Sequence, residues 1–333
     1  MKLSIVISSY NQKEFLIEAI ESCLNQEFND SFEIVIGDDG STDGSIEVIK
    51  SYVKKYPNKF KYFVADRNDG VDIVGFRSSN IRQKASSLCS GEYLIIMDGD
   101  DIFLNRHSFQ KQADFLDRNP QYAACYTDFE LFSADGKKEV RTVNYDAMNN
   151  SVFWANLYVH LTCFMFRRKV LVYFIPLFVN DCMALFSILK TGKIYHISDL
   201  SFGYRQLNNS MYHSFNYVEK CVREILVVQV IKNTGGYNFS TCARYKDHVF
   251  TVFENRNELS QEKYQKYFRH SNKYKNDYLQ KFKDYDNANI FGKLGINLFL
   301  TKCRMAHLFF RMIKVLTERF NGKNLMTYTS VDP

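Results

Sequence analysis

The chain has 333 residues, of which 46% are hydrophobic and 24% are charged, and its formal net charge is +6. This composition is ordinary for a folded protein and excludes disordered and fibrous classes. The length allows one large domain or two modest ones. No apolar run approaches the ~18 residues of a spanning helix, so we do not expect an integral membrane protein.

The charge is unevenly distributed along the chain. Residues 1–215 carry 23 Lys and Arg against 26 Asp and Glu, whereas residues 216–333 carry 20 against 11. This asymmetry indicates two regions with different partners. The eight cysteines form no Cys-x-x-Cys pair, and Met1 to Ile7 resembles a strand more than a signal peptide. We therefore expect reduced thiols in a cytoplasmic protein.

Short apolar runs alternate with amphipathic segments in the first hundred residues. The pattern predicts strands over Leu3–Ser8, Glu33–Gly37, Phe60–Val64 and Tyr93–Met97 and helices over 15–24 and 45–52. This alternation predicts an α/β fold, with a doubly wound, mostly parallel central sheet flanked by helices. The ends of the first, second and fourth strands should then lie near one another.

Carboxylates follow two of these predicted strands directly. Asp38 and Asp39 follow the second strand, and Asp98, Asp100 and Asp101 follow the fourth. Ligands of open α/β sheets bind outside the carboxyl ends of the strands. This concentration of negative charge favours a hard divalent cation, which prefers oxygen ligands. A solvated acidic turn is the alternative for an isolated Asp-x-Asp.

Four blocks of sequence occur in the order and spacing of one enzyme family. They are Ser4–Asn11, Ser22–Gln26, Glu33–Asp43 and Gly91–Asp101. In these blocks the chain resembles family 2 glycosyltransferases of the bacterial surface-glycan type, over about residues 1–215. The resemblance implies the GT-A fold and a metal-dependent, inverting transfer of a sugar from a nucleotide diphosphate donor to a hydroxyl group.

The resemblance also implies a set of donor-binding residues. They are Ser8, Tyr10, Asp39, Arg82, Asp98 and Gly99. Tyr10 would stack on the nucleotide base, and Asp39 would accept a hydrogen bond from a pyrimidine imide, which favours a UDP-sugar. Arg82 would lie near the diphosphate. Gln83 replaces the asparagine that the family often has after this arginine, and a surface arginine is the alternative.

The expected cofactor is Mn²⁺ or Mg²⁺. The resemblance implies Asp100 as the direct ligand, with the diphosphate and water supplying most of the remaining shell. The family tends to have a histidine where this chain has Leu207. His213 lies a few residues further on and is the candidate for a second contact with the metal or the diphosphate.

Acceptor contacts and the catalytic base are expected in the middle of the chain. The resemblance suggests His160, Thr162 and Asp101 for acceptor binding; a packed histidine and a supporting carboxylate are the alternatives. Asp181 matches the catalytic base, although Asn180 replaces the family's usual glutamate. A helix N-cap is the alternative for Asp181, because an apolar helix follows it up to Thr191.

Several further elements are predicted between the blocks and the C-terminal region. Tyr122–Tyr126 has the pattern of a strand, and the polar segment 133–150 either covers the active site or forms a surface hairpin. Lys193–His196 and Leu200–Tyr204 are expected to form a closing hairpin.

The C-terminal region, residues 216–333, is predicted to be a mainly helical, basic extension. Residues 290–323 contain seven Lys and Arg against one acid, and their apolar side chains share one helical face. Such a helix suits an anionic membrane surface, while packing on its own domain or in a homodimer is the alternative. Nucleic acid is not an expected partner, because no zinc-finger or RNA-binding signature is present.

The sequence as a whole predicts a hexosyl- or N-acetylhexosaminyltransferase with Asp181 as general base. The donor would be a nucleotide sugar, and the acceptor would be a glycan or a lipid-linked molecule. The protein is expected in the cytoplasm, and peripheral attachment to the inner face of the cell membrane is the alternative. A catalytically silent GT-A-like binding or scaffold protein is the alternative. A nucleotidyltransferase would have a glycine-rich loop after the first strand, where this chain has Ser8-Ser9-Tyr10-Asn11.

Overall fold

A central β-sheet carries the sequence blocks. A computed structural model describes residues 1–67, 76–132, 138–141, 160–173, 181–207, 216–218, 220, 221, 225, 239–255, 300, 301 and 303–305. The strands are Leu3–Ser9 (β1), Phe32–Asp38 (β2), Phe60–Val64 (β3), Tyr93–Asp98 (β4), Ile102–Phe103 (β5), Tyr122–Phe132 (β6), Lys138–Arg141 (β7), Phe164–Arg167 (β8) and Lys193–Arg205 (β9). The α-helices are Lys13–Leu24 (α1), Ser45–Lys55 (α2), Phe76–Ser87 (α3), Ser108–Arg118 (α4), Asp181–Thr191 (α5) and Phe239–Glu254 (α6). Short 3₁₀ turns span Leu161–Cys163 and Arg168–Tyr173.

The sheet has a parallel half and a mixed half. Strands β3, β2, β1 and β4 lie side by side in that order and are parallel. Beyond β4 the order continues β8, β6, β9 and β5, with β8 antiparallel to both neighbours and β6 parallel to β9. The predicted α/β architecture is confirmed, and the antiparallel strands begin where the four sequence blocks end.

The two inner strands of the parallel half, β1 and β2, are buried on both faces. Every residue of β1 and β2 is buried, which agrees with their near-continuous apolar sequences. On one face, Ile5 and Ile7 pack in a core cluster with side chains of α1 and α4, including Leu16 and Phe109. Burial of each such side chain contributes roughly 1.5–3 kcal/mol to folding. This packing fixes the strands that carry the site.

The strand register brings three turns to one edge of the sheet. Ser8 on β1 pairs with Gly37 on β2 and with Asp98 on β4. The turns after these strands, residues 8–12, 38–43 and 98–101, therefore open at the same end, which we call the site edge. The prediction that these three strand ends lie together is confirmed.

The predicted closing hairpin is wrong. Residues Lys193–Arg205 form one long strand, with an irregularity where the pairing with β6 jumps from Ile197 to Leu200. Ser198 and Asp199, which lie between the two predicted strands, are part of this one strand, and the Asp199 carboxylate accepts hydrogen bonds from the side chains of Asn105 and Lys111. These partners come from another segment of the chain.

Strand β6 is longer than predicted and pairs with β7 as an antiparallel hairpin. Two alternatives were predicted for residues 133–150, a cover over the active site and a surface hairpin. Residues 138–141 form a hairpin with β6, and the rest of the segment lies outside the described residues. Six of the cysteines are buried free thiols. None of the helices in the described ranges has the length and apolar character needed to cross a bilayer.

The chain divides into two compact units. One comprises Met1–Asn149 with Val159–Ser210 and contains the sheet, and the other comprises Asn150–Tyr158 with Met211–Pro333. In the second unit, α6 buries Val252 and Val249. The predicted division into residues 1–215 and 216–333 stays a prediction, as does the basic helix over 290–323, of which five residues are described as helical.

Candidate active site

Two strand ends are joined directly at the site edge. The Ser8 hydroxyl donates a hydrogen bond to Asp98 Oδ1 at 2.7 Å, and the Gly99 N–H donates to the Ser8 carbonyl at 2.8 Å. A Cβ atom on Gly99 would lie only 3.1 Å from Gln12 Oε1 and 3.2 Å from the Ser8 carbonyl oxygen. A glycine therefore suits this close approach of the β1 and β4 turns.

Arg82 on α3 lies between two of the predicted site carboxylates. Its Nη2 atom donates to both carboxylate oxygens of Asp98, at 2.5 and 2.7 Å, and its Nη1 atom lies 3.7 Å from Asp181 Oδ1. Burial tends to raise the pKa of Asp98, but the Arg82 charge and the hydrogen bonds from Arg82 and Ser8 outweigh it and lower the pKa. Arg82 is thus an internal counter-ion of the site.

The negative charges of Asp100 and Asp101 are offset less completely by hydrogen bonds and positive charge than that of Asp98. Burial and the neighbouring Asp98 raise the pKa of Asp100 to about 6, despite a hydrogen bond from Gln12. Asp101 is completely buried and accepts weak hydrogen bonds from the Thr162 hydroxyl and the Arg205 N–H, at 3.3 and 3.4 Å. Burial, together with Asp100 and Asp98, raises the pKa of Asp101 well above its usual range. Negative charge is therefore in excess here.

Tyr10 and Asp39, which were predicted to contact the nucleobase, lie beside two arginines that the sequence reasoning missed. Arg77 on α3 forms a bidentate ion pair with Asp39, with contacts of 2.7 to 3.0 Å, and Arg67 lies 3.3 Å from the same carboxylate. The Arg67 guanidinium also stacks at 3.9 Å from the centroid of the Tyr10 ring, which is 43% exposed. Asp39, Tyr10 and these arginines form what we call the ring-and-carboxylate pocket.

One available signal could have identified Arg67. Strand β3 lies beside β2 with Val64 opposite Asp38, so the residues that follow β3 must approach the turn that contains Asp39. Arg67 is among those residues. No comparable local pattern points to Arg77, because α3 reaches Asp39 only through the folded arrangement.

The three predicted acceptor-contacting residues are all buried. His160 is 7% exposed, Thr162 is 3% exposed and Asp101 is not exposed. The His160 ring packs between aromatic rings, at 4.1 Å from Tyr204 and 5.1 Å from Phe202 between centroids. Burial lowers the pKa of His160 to about 4, so the imidazole is neutral at physiological pH. This burial favours the packed and supporting alternatives, and direct acceptor contact stays a prediction.

Asp181, the predicted catalytic base, lies at the start of a helix, as the sequence indicated. Asp181 is the first residue of α5, and 35% of its side chain is exposed. The Asp181 carboxylate is therefore partly accessible to solvent. Its neighbour Asn180 and the predicted metal contact His213 lie outside the described residues.

The carboxylates could hold a cation only together with other ligands. Within the described ranges, no group of three or more His, Cys, Asp or Glu side chains could hold a metal by itself. Asp98 is engaged by Arg82, whereas Asp100 is in an environment that disfavours its negative charge. This donor set fits a hard cation that completes its shell with oxygens of a bound diphosphate and water.

The comparison with protein families agrees with this geometry. The sequence model of the family described as Glycosyl transferase family 2 matches residues 4–174 of this chain. The chain belongs to glycosyltransferase family 2. The match includes all four sequence blocks, so the predicted family is confirmed.

Individual relatives match smaller parts. The putative glycosyltransferase EpsE of Bacillus subtilis is 29% identical over 140 residues, which are 42% of this chain and 47% of that protein. A poly(ribitol-phosphate) beta-glucosyltransferase of Bacillus spizizenii is 35% identical over 118 residues, 34% of this chain and 18% of that protein. The chain thus matches less than half the length of these curated relatives.

A solved structure extends the likeness to the whole fold. The crystal structure of S. aureus TarS residues 1–349 in complex with UDP-GlcNAc has a TM-score of 0.59 and 17% identity and covers 100% of this chain and 98% of that chain. At this identity the likeness concerns the fold alone. The predicted GT-A fold is confirmed.

Proposed function

We propose that this family 2 glycosyltransferase moves a sugar from a UDP-sugar to a hydroxyl group of a glycan or lipid-linked acceptor, with inversion at the anomeric carbon. The observation that carries the proposal is the grouping of Asp98, Asp101 and Asp181 around the guanidinium of Arg82. TarS, which shares the fold, was solved with UDP-GlcNAc. A relative named as a poly(ribitol-phosphate) glucosyltransferase supports a surface-polymer acceptor.

The ring-and-carboxylate pocket would bind the nucleobase. The exposed Tyr10 ring offers a stacking surface, and the Asp39 carboxylate offers an acceptor for an imide N–H of uracil. Arg67 and Arg77 would hold the Asp39 carboxylate in place while the nucleobase binds. Ser8 and Gly99 keep the β1 turn beside Asp98, where the ribose and diphosphate would follow.

Mn²⁺ or Mg²⁺ would be held by Asp100, with Asp98 beside it. When bound, the cation offsets negative charge that develops on the leaving diphosphate. Arg82 supplies further positive charge from the protein itself, and its fixed fork of donors suits phosphate oxygens as well as carboxylates. The excess negative charge at Asp100 and Asp101 would then be compensated.

Asp181 would act as the general base. Its carboxylate accepts the proton of the acceptor hydroxyl while the hydroxyl oxygen forms a bond to the anomeric carbon. The bond between that carbon and the diphosphate oxygen breaks on the opposite face, and its electron pair leaves with the nucleotide. One displacement inverts the configuration and needs no covalent enzyme intermediate. The buried Asp101 carboxylate, which accepts a hydrogen bond from the Thr162 hydroxyl, would help to hold this arrangement in place.

A donor screen tests the proposed reaction. Release of nucleoside diphosphate is measured for UDP- and GDP-sugars, with glycan and lipid-linked acceptors, in Mn²⁺ and in EDTA. We expect UDP release that depends on Mn²⁺ and falls by about 10²–10⁴-fold in Asp181→Asn. Asp114→Asn, at a side chain that is 43% exposed outside the site, is the matched control. Full turnover in Asp181→Asn would exclude Asp181 as the base, and absence of release with every donor would favour a silent binding protein.

We also propose an anionic membrane surface as the partner of the basic segment 290–323. Its excess of Lys and Arg supports this, as does the exposure of Met305, which is 67% exposed in the described part of the segment. In a sedimentation assay, the full chain should pellet with phosphatidylglycerol vesicles, whereas a protein that lacks residues 290–333 should stay in the supernatant. Phosphatidylcholine vesicles are the control. Equal pelleting of both proteins would contradict this partner and favour a homodimer or an intramolecular contact.

A further inference from the structure

The residue after Tyr10 has an unusual backbone conformation. Asn11 has φ 49°, and it is the non-glycine residue with positive φ among those that the structure describes. Most L-residues avoid this left-handed region for steric reasons, whereas Asn and Asp enter it more readily. A residue in this conformation persists only where its surroundings hold it.

Asn11 is held by two hydrogen bonds to the turn that follows β2. Its backbone N–H donates to the Ser41 hydroxyl oxygen at 2.9 Å, and its side-chain Oδ1 accepts from the Thr42 N–H at 2.8 Å. A third contact runs between the same turns, from the Asp39 N–H to the Ser9 carbonyl at 2.9 Å. The turn carrying Tyr10 is thus tied to the turn carrying Asp39.

A buried carboxylate orients Ser41. Asp38 is completely buried and accepts from both the Ser41 N–H and the Ser41 hydroxyl, each at 2.7 Å. A serine hydroxyl has one proton but two lone pairs. Because the proton is directed to Asp38, the oxygen can accept the Asn11 N–H. Asp38, Ser41 and Asn11 therefore form a directed chain of hydrogen bonds, which we call the turn relay.

We propose that Asn11 is a positioning residue for the nucleoside part of the donor, and that the turn relay holds Tyr10 and Asp39 at the spacing a nucleobase requires. This inference rests on the proposed donor function. The stacking ring lies on one turn and the imide acceptor on the other, so neither turn can bind the base alone. Fixing both before binding lowers the ordering cost of association.

The first measurement is the affinity for UDP, by calorimetry in Mn²⁺, together with the donor KM and kcat. Asn11→Ala and Ser41→Ala should each weaken UDP binding about tenfold and raise the donor KM about equally, which corresponds to about 1.4 kcal/mol. The kcat should change little, because the relay does not touch the reacting atoms. Asn11→Asp keeps an oxygen acceptor and tolerance of positive φ, so it should stay within about twofold of the unaltered protein.

The second measurement needs no ligand. Amide hydrogen exchange of segments 9–13 and 38–45 should be faster in Asn11→Ala and Ser41→Ala than in the unaltered protein or Asn11→Asp. Asn29→Ala is the matched control, because Asn29 is an exposed loop asparagine whose backbone N–H bonds to Gln110. If Asn11→Ala does not fold, Asn11→Gly retains positive φ and removes only the amide.

The outcomes separate this inference from the proposed function. If the unaltered protein binds UDP and both alanine variants bind it equally well, the positioning role is wrong and the donor function stands. Faster exchange with unchanged UDP affinity would show a structural relay without a donor role. If the unaltered protein binds neither UDP nor GDP, the proposed function fails first and this inference with it.

Discussion

The two edges of the central sheet each hold an at least partly buried carboxylate, Glu33 at one and Asp100 at the other, and the pKa values of these two groups are shifted in opposite directions. At the edge opposite the site, Glu33 is almost fully buried, yet it accepts hydrogen bonds from Ser4 and Ser90 and pairs with Lys61 at 2.8 Å. Burial alone would raise the pKa of Glu33, but these partners outweigh it and lower the pKa to about 2. At the site edge, burial and its neighbours raise the pKa of Asp100 to about 6.

From this difference we infer that the edge around Glu33 is structural and that the site edge is the functional one. Protein groups can satisfy a buried carboxylate completely, as they do for Glu33, and such a carboxylate stabilises the fold. The carboxylates Asp100 and Asp101 are costly in the protein alone and would become favourable with the proposed cation bound. Changes at the two edges should therefore separate activity from stability.

The largest effect is expected for Asp100→Asn. Turnover should fall about a thousandfold, because a cation site supplies several kcal/mol and each 1.36 kcal/mol is tenfold in rate. In EDTA the variant should melt at a higher temperature, because the amide removes repulsion with Asp98; a gain of 1 kcal/mol gives roughly 2–4 °C. Turnover assays and calorimetry check both. Unchanged turnover would contradict the functional role of this edge.

Arg82→Lys should reduce turnover about a hundredfold, because an ammonium group does not reproduce the bidentate contact with Asp98 beside Asp181. The kinetic measurement is kcat with saturating UDP-sugar. Arg118→Lys is the matched control, since that side chain is 78% exposed and far from the site in sequence. Equal turnover for the Arg82 variant would mean that its ion pairs are structural only.

Glu33→Gln should lower the free energy of unfolding by roughly 2–3 kcal/mol at pH 7 and leave turnover per folded molecule unchanged. The folded pKa of Glu33 is about 2, below the ordinary 4.5, so its stabilisation is present above about pH 4.5 and disappears as the pH falls toward 2. Urea unfolding at pH 7, 5 and 3 measures this. A difference between the proteins that stays constant over this range would refute the ionic contribution.

A smaller effect is expected for Lys2→Met. Lys2 lies 3.0 Å from Glu92 and 2.6 Å from Asp117, and its side chain is 19% exposed. Loss of these two partly solvent-screened ion pairs should cost about 1 kcal/mol of stability, less at high salt. Lys13→Met is the control, because its pair with Glu14 spans 3.7 Å in solvent. If Lys2→Met lowered the free energy of unfolding more than Glu33→Gln does, the expected ranking of these two structural contacts would be wrong.

The sequence was most informative where local pattern and fold coincide. The strands of the parallel half are continuous apolar runs, and the carboxylates that directly follow two of them are enough to locate the site edge. Arg77 was missed because its contact with Asp39 joins residues 38 positions apart and has no local signature. The strand β9 was misread as a hairpin because the partners of Asp199, which lies between the two predicted strands, are on a different segment.

The acceptor side was the hardest to predict. Local sequence does not distinguish a histidine that binds substrate from one that packs among aromatic rings, as His160 does beside Tyr204 and Phe202. The nucleotide side depends on short turns with recognisable residues. The residues predicted to contact the acceptor come from the turn after β4 and from the 3₁₀ turn Leu161–Cys163 with the residue before it, which lie close together only in the folded chain.

The most direct test of the account is the melting temperature with UDP and Mn²⁺, compared with UDP in EDTA. The excess carboxylate charge predicts that the cation and UDP stabilise the protein together, by about 2.7 kcal/mol at a hundred times the Kd. This gain corresponds to a shift of roughly 5–10 °C. UDP in EDTA should shift the temperature much less, and Asp100→Asn should abolish the effect of Mn²⁺. An equal shift with and without EDTA would contradict a cation site at this edge.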